Sequence, residues 1–273
     1  MSADNSIVFT KRNIDLYLNE VAKDYKKHGG KNVPVEIVLI GGAAVIERYG
    51  FREMTRDIDA VLPAISILKE AINRVGDKYG LERGWLNMDF AKTDSYSPRL
   101  VQCSVPYKSF CQVLHVRMVT GEYLIAMKLR SGRRYKKDIS DIVGILKEHE
   151  MMGNPISMGM IDTAVKNLYG GWDCFPETAV SFINEALEAE DYNILFEKVV
   201  ESEKLAKDHL QAFQKSYPGV LNSENVNRIL ERRADSDHRP SVLDKLHEKQ
   251  RKQSEMKDAQ PQQKKKNISR DER

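Results

Sequence analysis

The stretch that most constrains the fold is EIVLIGGAAVIERYG, which covers residues 36–50. Its apolar, β-branched start predicts a strand over 36–40, and the segment 43–49 has the pattern of a short helix. Gly41 and Gly42 lie between the two. A strand that passes through glycines into a helix presents backbone N–H groups to an anion, most often a phosphate. A glycine pair alone more often marks an ordinary tight turn.

Two aspartates follow in the next apolar run, RDIDAVLP, for which we predict a strand over 58–62. Side chains alternate along a strand, so Asp57 and Asp59 point to the same side. Two such carboxylates repel each other unless a cation lies between them, and Mg²⁺ prefers carboxylate and phosphate oxygens. The alternative is a solvated strand end that carries ordinary surface acids. A phosphate-binding turn just before an acidic pair favours a single site for a nucleotide and its metal.

The remaining pattern predicts an α/β (α+β) fold followed by a helical C-terminal region. Helical spacing follows Thr10, recurs over 66–79, 122–130 and 137–148, and continues throughout after Pro155. We also expect a strand over 113–119, while 85–90 fits either a strand or a loop. The predicted domains are 1–150, with a mixed sheet flanked by helices, a helical domain over 155–233, and a charged, disordered tail over 234–273.

Charge and cysteine content restrict the class of protein. Ten Lys/Arg and six Asp/Glu follow residue 240, so the tail carries +4 and the preceding 240 residues carry −1. The basic pI therefore gives no ground for nucleic-acid binding by the body of the protein. Three cysteines without metal-type spacing, and no signal-peptide or membrane-span pattern, predict a cytoplasmic protein without disulfides or membrane contact.

The order of these motifs resembles that of the DNA polymerase β-like nucleotidyltransferases, whose pattern is a GG or GS turn, a short helix and Dx[DE]. Within that superfamily the chain is most similar to AbiEii-type and related small bacterial enzymes, several of which are toxins. RGWLNMDF (83–90) and EYLIAMKLRSGRRYKKDISDIVGIL (122–146) also resemble stretches of these proteins. The likeness covers about 36–146.

The resemblance implies an Mg²⁺- or Mn²⁺-dependent transfer of a nucleoside monophosphate from an NTP to a hydroxyl acceptor. The acceptor would be RNA such as tRNA, a protein or a small molecule, and a cognate antitoxin protein would be a partner. Its implied site residues include a metal-binding pair, phosphate-binding residues and supporting charges. They are Asp57 and Asp59 for the metal, Gly41, Gly42, Arg56 and Lys128 for the nucleotide, and Asp138 and Asp89 as further catalytic residues.

One departure from the superfamily pattern leaves the function open. A third carboxylate is expected on a later strand, but the run 113–119 carries only His115 and Arg117. Asp89, Glu122 and Asp138 are the candidates. If none of them joins the aspartate pair, the alternative is a nucleotidyltransferase-fold protein that binds or regulates without catalysis. Lys128 and the basic run 130–137 also fit plainer roles, as a snorkelling lysine and a solvated helix junction.

Overall fold

The computed structural model describes residues 7–133, 136–222, 225–226 and 229–230. The predicted tail, Arg134 of the predicted basic run and most of residues 223–233 of the predicted helical domain lie outside them. Within the described residues the chain forms eight α-helices: α1 (Lys11–Lys27), α2 (Gly41–Arg48), α3 (Ser66–Tyr79), α4 (Gly121–Ser131), α5 (Asp138–Met151), α6 (Met158–Tyr169), α7 (Glu177–Leu187) and α8 (Tyr192–Ser216). It also forms five strands: β1 (Val35–Leu39), β2 (Ile58–Val61), β3 (Leu86–Asn87), β4 (Ser104–Phe110) and β5 (Leu114–Val119).

The five strands make one mixed sheet in the order β3-β2-β1-β5-β4. The central strand β1 runs parallel to β5 and antiparallel to β2, and β3 runs parallel to β2. Helices flank this sheet, with α1 packed on α3, and α4 packed on both α5 and α6. This architecture confirms the predicted α/β class with a mixed sheet.

The central strands form as predicted because their apolar residues alternate or run together at buried positions. Ile37, Val38 and Leu39 of β1 are almost completely buried, as are Ile58 and Ala60 of β2. Burial of such side chains stabilises the sheet by roughly 1.5–3 kcal/mol each. Asp59 therefore lies between two buried residues of β2, which fixes the side of the strand to which it points, while Asp57 directly precedes the strand.

The edge strand β4 was not predicted, and the structure shows why. It pairs antiparallel with β5, but most of its side chains are exposed, so no apolar alternation marks it. It also contains Pro106, which an edge strand tolerates because its N–H side need not pair. The stretch 85–90 divides between the two expected alternatives, since β3 is a two-residue strand and Asp89–Lys92 is a short 3₁₀ helix.

The chain divides into two compact units, the first ending at Asp208 and the second beginning at His209. The described part of the second contains the end of α8, where the rings of Phe213 and Tyr217 pack 5.0 Å apart. The predicted domain boundaries near residues 150 and 233 stay predictions. Among the residues that the structure describes, none of the helices combines the length and apolar character that crossing a bilayer requires.

Candidate functional site

The glycine turn connects β1 to α2 and lies against an aspartate. Gly41 is the first residue of α2 and has φ +57°, a left-handed conformation that favours glycine. A Cβ atom at this position would lie 3.0 Å from Asp59 Oδ2. Among the described residues no side chain caps the first turn of α2. The turn therefore offers uncapped backbone N–H groups beside a carboxylate.

Gly42 is in close contact with the segment that leads into β2. A Cβ atom on Gly42 would lie 2.6 Å from Arg52 Nη2 and 2.7 Å from Thr55 Oγ1, closer than such atoms approach one another. Gly41 thus has a positive φ that favours glycine, and a side chain on Gly42 would displace Arg52 or Thr55. This is more than an ordinary tight turn needs.

The aspartate pair flanks the buried Ile58, with Asp57 exposed and Asp59 half-buried. Burial, and after it the negative charge of Asp57, raise the pKa of Asp59, which lies at about 6. The positive charges of Arg133, Lys136 and Lys128 act in the opposite direction, so these three basic groups lie near the carboxylate. The two carboxylates repel each other, and a cation bound between them would reduce this repulsion.

A second pair of acids lies in the first turn of α5 and is held by Lys128 of α4. The ammonium group contacts Asp138 Oδ1 at 3.1 Å and Asp141 Oδ2 at 2.6 Å, and all three side chains are buried. Burial alone would lower the pKa of Lys128, but the two carboxylates outweigh burial and raise it. Lys128 therefore stays charged and is bound within the protein.

Two arginines extend this cluster toward the glycine turn and the aspartate pair. The Arg133 Nε group donates to Asp138 Oδ2 at 2.9 Å, and Arg52 donates to Asp141. Burial by itself would raise the pKa of Asp138, yet Lys128 and Arg133 lower it to about 2. We call these five residues, Arg52, Lys128, Arg133, Asp138 and Asp141, the buried ionic cluster.

The structure brings together most, but not all, of the residues expected at the site. The glycine pair, Asp57, Asp59 and the buried ionic cluster converge, and Arg56 is exposed directly before Asp57. Asp89 is exposed and pairs with Lys92 at 3.0 Å, while Glu122 accepts a hydrogen bond from Thr120. Of the predicted basic run, Arg130 instead donates to the Cys174 carbonyl oxygen.

The residues that sequence reasoning missed are Arg52, Asn87 and Glu203. Asn87 lies in register with Asp59 on the neighbouring strand, and its amide nitrogen donates to the Gly84 carbonyl oxygen at 2.9 Å. The WLN stretch that contains Asn87 was the one available signal. Arg52 lies in an irregular segment without periodicity, and Glu203 is far away in the sequence.

The donor chemistry of the aspartate pair fits a hard divalent cation such as Mg²⁺, which takes one or two carboxylates and completes its shell with phosphate oxygens and water. The space that a Cβ on Gly41 would fill keeps Asp59 Oδ2 accessible beside the turn. Across the described residues, however, no group of three or more His, Cys, Asp or Glu side chains could hold a metal ion. The protein would thus supply only the pair.

Comparison with known proteins gave one match. A family model described as nucleotidyltransferase of unknown function (DUF6036) matches residues 17–169, more than half of the chain. The matched range contains β1 to β5 and both aspartate pairs, and it confirms the predicted nucleotidyltransferase superfamily. The more specific likeness to AbiEii-type enzymes stays a prediction. No curated protein and no solved structure matches the chain.

Proposed function

The chain belongs to this family of nucleotidyltransferases, and we propose that it binds a nucleoside triphosphate with Mg²⁺ or Mn²⁺ and transfers the nucleoside monophosphate to a hydroxyl acceptor. The observation that carries the proposal is the placement of Asp59 against the uncapped glycine turn of α2, with Asp57 beside it. Phosphates and their cation would therefore meet at one point, as nucleotidyl transfer requires.

Each group at the site has a defined part in this proposal. The first N–H groups of α2 would bind phosphate oxygens, and Asp57 and Asp59 would hold the cation. When bound, the cation supplies charge stabilisation at the attacking and leaving oxygens. Arg133 and Lys136, whose charges already act on Asp59, would balance the charge of the leaving pyrophosphate.

The transfer step forms one bond and breaks one. The acceptor hydroxyl oxygen bonds to the α-phosphorus, the bond from the α-phosphorus to the oxygen that bridges to the β-phosphorus breaks, and pyrophosphate leaves with the electron pair. The hydroxyl proton passes to water. The protein's main contribution is to align the two oxygens with phosphorus, which lowers the entropic barrier.

Lys128 has a supporting part in this account. Its ammonium group is already bound to Asp138 and Asp141, so it acts on the nucleotide through its field and through the position of α5. The acceptor, as RNA such as tRNA, a protein or a small molecule, and an antitoxin partner stay predictions from the AbiEii-type resemblance.

A second function, nucleotide binding without transfer, is favoured by one observation. Within the residues that the structure describes, no third acid joins Asp57 and Asp59. Asp138 is bound by Lys128 and Arg133, and Asp89 points to solvent with Lys92. A protein of this kind would recognise a nucleotide and regulate a partner.

The two functions are separated by a transfer assay. The wild-type protein is incubated with each of four NTPs labelled at the α-phosphate, with Mg²⁺ or Mn²⁺, and with tRNA, total RNA, cell protein or the protein itself. If the wild type transfers label and Asp57→Asn/Asp59→Asn does not, the result supports nucleotidyl transfer. Nucleotide binding without any transfer supports the second function, and an equally active double variant contradicts both roles of the pair.

A further inference from the structure

We propose that Glu203, on α8, is a positioning residue for the nucleotide site, so that the site depends on a helix beyond the matched family region. The inference rests on the proposed function. Glu203 Oε1 accepts from the backbone N–H groups of Ile139 at 3.0 Å and Ser140 at 2.9 Å, and Oε2 accepts from the Ser140 hydroxyl at 2.6 Å. Three hydrogen bonds thus join α8 to the first turn of α5.

This carboxylate replaces a cap that α5 does not have locally. Among the described residues no side chain from the preceding segment caps α5, whose N-cap position is Lys137. A helix N-terminus needs acceptors for its first N–H groups, and a carboxylate also interacts favourably with the helix dipole. Glu203 supplies both from 63 residues further along the chain.

The turn that Glu203 fixes is the one that carries Asp138 and Asp141. These two acids bind Lys128, Arg133 and Arg52, and every member of the buried ionic cluster therefore depends on where the turn lies. A helix start that is free to fray would shift both carboxylates, since both are within its first four residues.

The buried ionic cluster in turn contacts the predicted nucleotide site at two places. Arg52 Nη2 lies 2.6 Å from the position that a Cβ on Gly42 would take, and the charges of Arg133 and Lys128 act on Asp59. A continuous set of contacts therefore runs from α8 through α5 and Arg52 to the glycine turn, and the charges of the cluster act on Asp59. Glu203 is not expected to touch the nucleotide itself.

The environment of Glu203 disfavours its charged form. Burial raises its pKa to about 7, in spite of the hydrogen bonds from Ser140, and the charges of Asp141 and Asp138 act in the same direction as burial. Because neighbouring acids disfavour the charged form of Glu203, its contribution to α5 lies mainly in the hydrogen bonds that it accepts rather than in its charge. The family match ends at residue 169, so this contribution from α8 lies outside it.

The test compares Glu203→Ala with Glu203→Gln, which can still accept from both backbone N–H groups. Glu201→Ala, an exposed acid on the same helix, is the matched control. Mg²⁺ with each of the four NTPs is titrated into each full-length variant, and urea unfolding is followed in parallel. We expect Glu203→Ala to weaken nucleotide binding about tenfold, as loss of supporting contacts around a site does, with Glu203→Gln and Glu201→Ala close to wild type.

Several results would overturn the inference. If folded Glu203→Ala loses stability but binds nucleotide as wild type does, Glu203 is only a helix cap. If Glu203→Gln binds as weakly as Glu203→Ala, the charge and not the hydrogen-bond geometry matters. Should Glu203→Ala fail to fold, Ser140→Ala removes only the 2.6 Å hydroxyl bond, and unchanged binding in that variant would also count against positioning.

Failure of the proposed function is a separate outcome. If the wild type binds no nucleotide while it is well folded, the proposed function fails, and the positioning role fails with it. If the wild type binds and all Glu203 variants bind equally well, only the role of Glu203 is refuted.

Discussion

Two pairs of aspartates occupy two regions of this protein, and their environments are opposite. Asp57 and Asp59 flank one residue of β2, beside an uncapped helix start, and burial raises the pKa of Asp59 to about 6. Asp138 and Asp141, in the first turn of α5, are more completely buried, yet Lys128 and Arg133 outweigh burial and hold the pKa of Asp138 at about 2.

The difference shows that neighbouring charged groups, and not burial alone, set the pKa of these carboxylates. The α5 pair already has its cations in Lys128, Arg52 and Arg133, so it serves as part of the protein's framework. Among the contacts of the described residues, no cation lies at hydrogen-bonding distance from Asp57 or Asp59, and the two carboxylates repel each other. A divalent ion with a nucleotide would give it the partner that the other pair already has.

The largest expected effect comes from removing the shared cation of the α5 pair. Lys128→Met leaves Asp138 and Asp141 buried without the ammonium group between them. Loss of one partner from a buried ion pair costs about 3–5 kcal/mol, so we expect the free energy of unfolding, measured in urea, to fall by about that amount.

The matched control for Lys128→Met is Lys92→Met, which removes an ion pair that is 82% exposed on the lysine side. Such a surface pair contributes roughly 0–1 kcal/mol. If the two variants unfold at the same urea concentration, the α5 pair is not a buried framework and the comparison fails.

The pH dependence of stability should have opposite signs for the two pairs. The pKa of Asp59 is raised in the folded protein. Its contribution to the free energy of unfolding is therefore fully present below an ordinary acid's pKa of about 4 and is lost as pH rises through about 6. The free energy of unfolding of wild type should therefore fall between pH 4 and pH 7 in metal-free buffer, while that of Asp59→Asn lacks this loss. We expect the variant to become about 1–2 kcal/mol more stable relative to wild type over this range, after allowance for solvent screening.

Asp138 should behave in the reverse way. Its folded pKa is lowered, so its contribution is present above pH 4 and is lost as pH falls through about 2. Asp138→Asn is therefore expected to be less stable than wild type at neutral pH. Unfolding curves at intervals from pH 2 to pH 8 measure both signs, and a stability gain in Asp138→Asn at pH 7 would contradict the assignment.

A smaller effect tests whether the turn beside the β2 pair is specialised. Gly41→Ala and Gly80→Ala both place a side chain at positive φ, +57° and +65°, but only the first meets a neighbour, Asp59 Oδ2. Each should lose about 1–2 kcal/mol of stability. Only Gly41→Ala should also weaken nucleotide binding, by roughly tenfold or more because the carboxylate is displaced. Equal binding by both variants would remove the turn from the site.

The smallest effect is expected at Asp89, a sequence candidate for catalysis. Its carboxylate is exposed and paired with Lys92, so Asp89→Asn should change nucleotide affinity by no more than about twofold, as exposed ion pairs contribute little. Titration of Mg²⁺ and NTP into this variant measures the change. A tenfold loss would bring Asp89 into the site and favour catalysis over simple binding.

The sequence was sufficient for the strand–turn–helix around Gly41 and for a strand that carries Asp59, because both depend on local periodicity. That Asp57 and Asp59 point to the same side stays a prediction, since Asp57 precedes β2. The sequence also singled out Lys128 and Asp138, which form an ion pair at 3.1 Å. It was not sufficient for β4, whose exposed side chains leave no pattern. Apolar periodicity identifies the buried face of a single strand or helix, so it cannot reveal a strand whose side chains are mostly exposed.

The contacts that the sequence left out are those between distant segments. Arg52 reaches Asp141 across 89 positions, and Glu203 reaches Ser140 across 63. No local pattern distinguishes such residues from ordinary surface charges. The same limit applies to the missing third carboxylate, which sequence order alone assigned to three different residues.

The measurement that tests the central claim most directly is a calorimetric titration of Mg²⁺ with each NTP into wild type and Asp57→Asn/Asp59→Asn, with urea unfolding of both proteins. We predict Mg²⁺-dependent binding of at least one NTP to wild type, and its loss in a double variant that is as stable as wild type or more so. Binding that persists in the stable double variant, or no binding to folded wild type, would contradict the account.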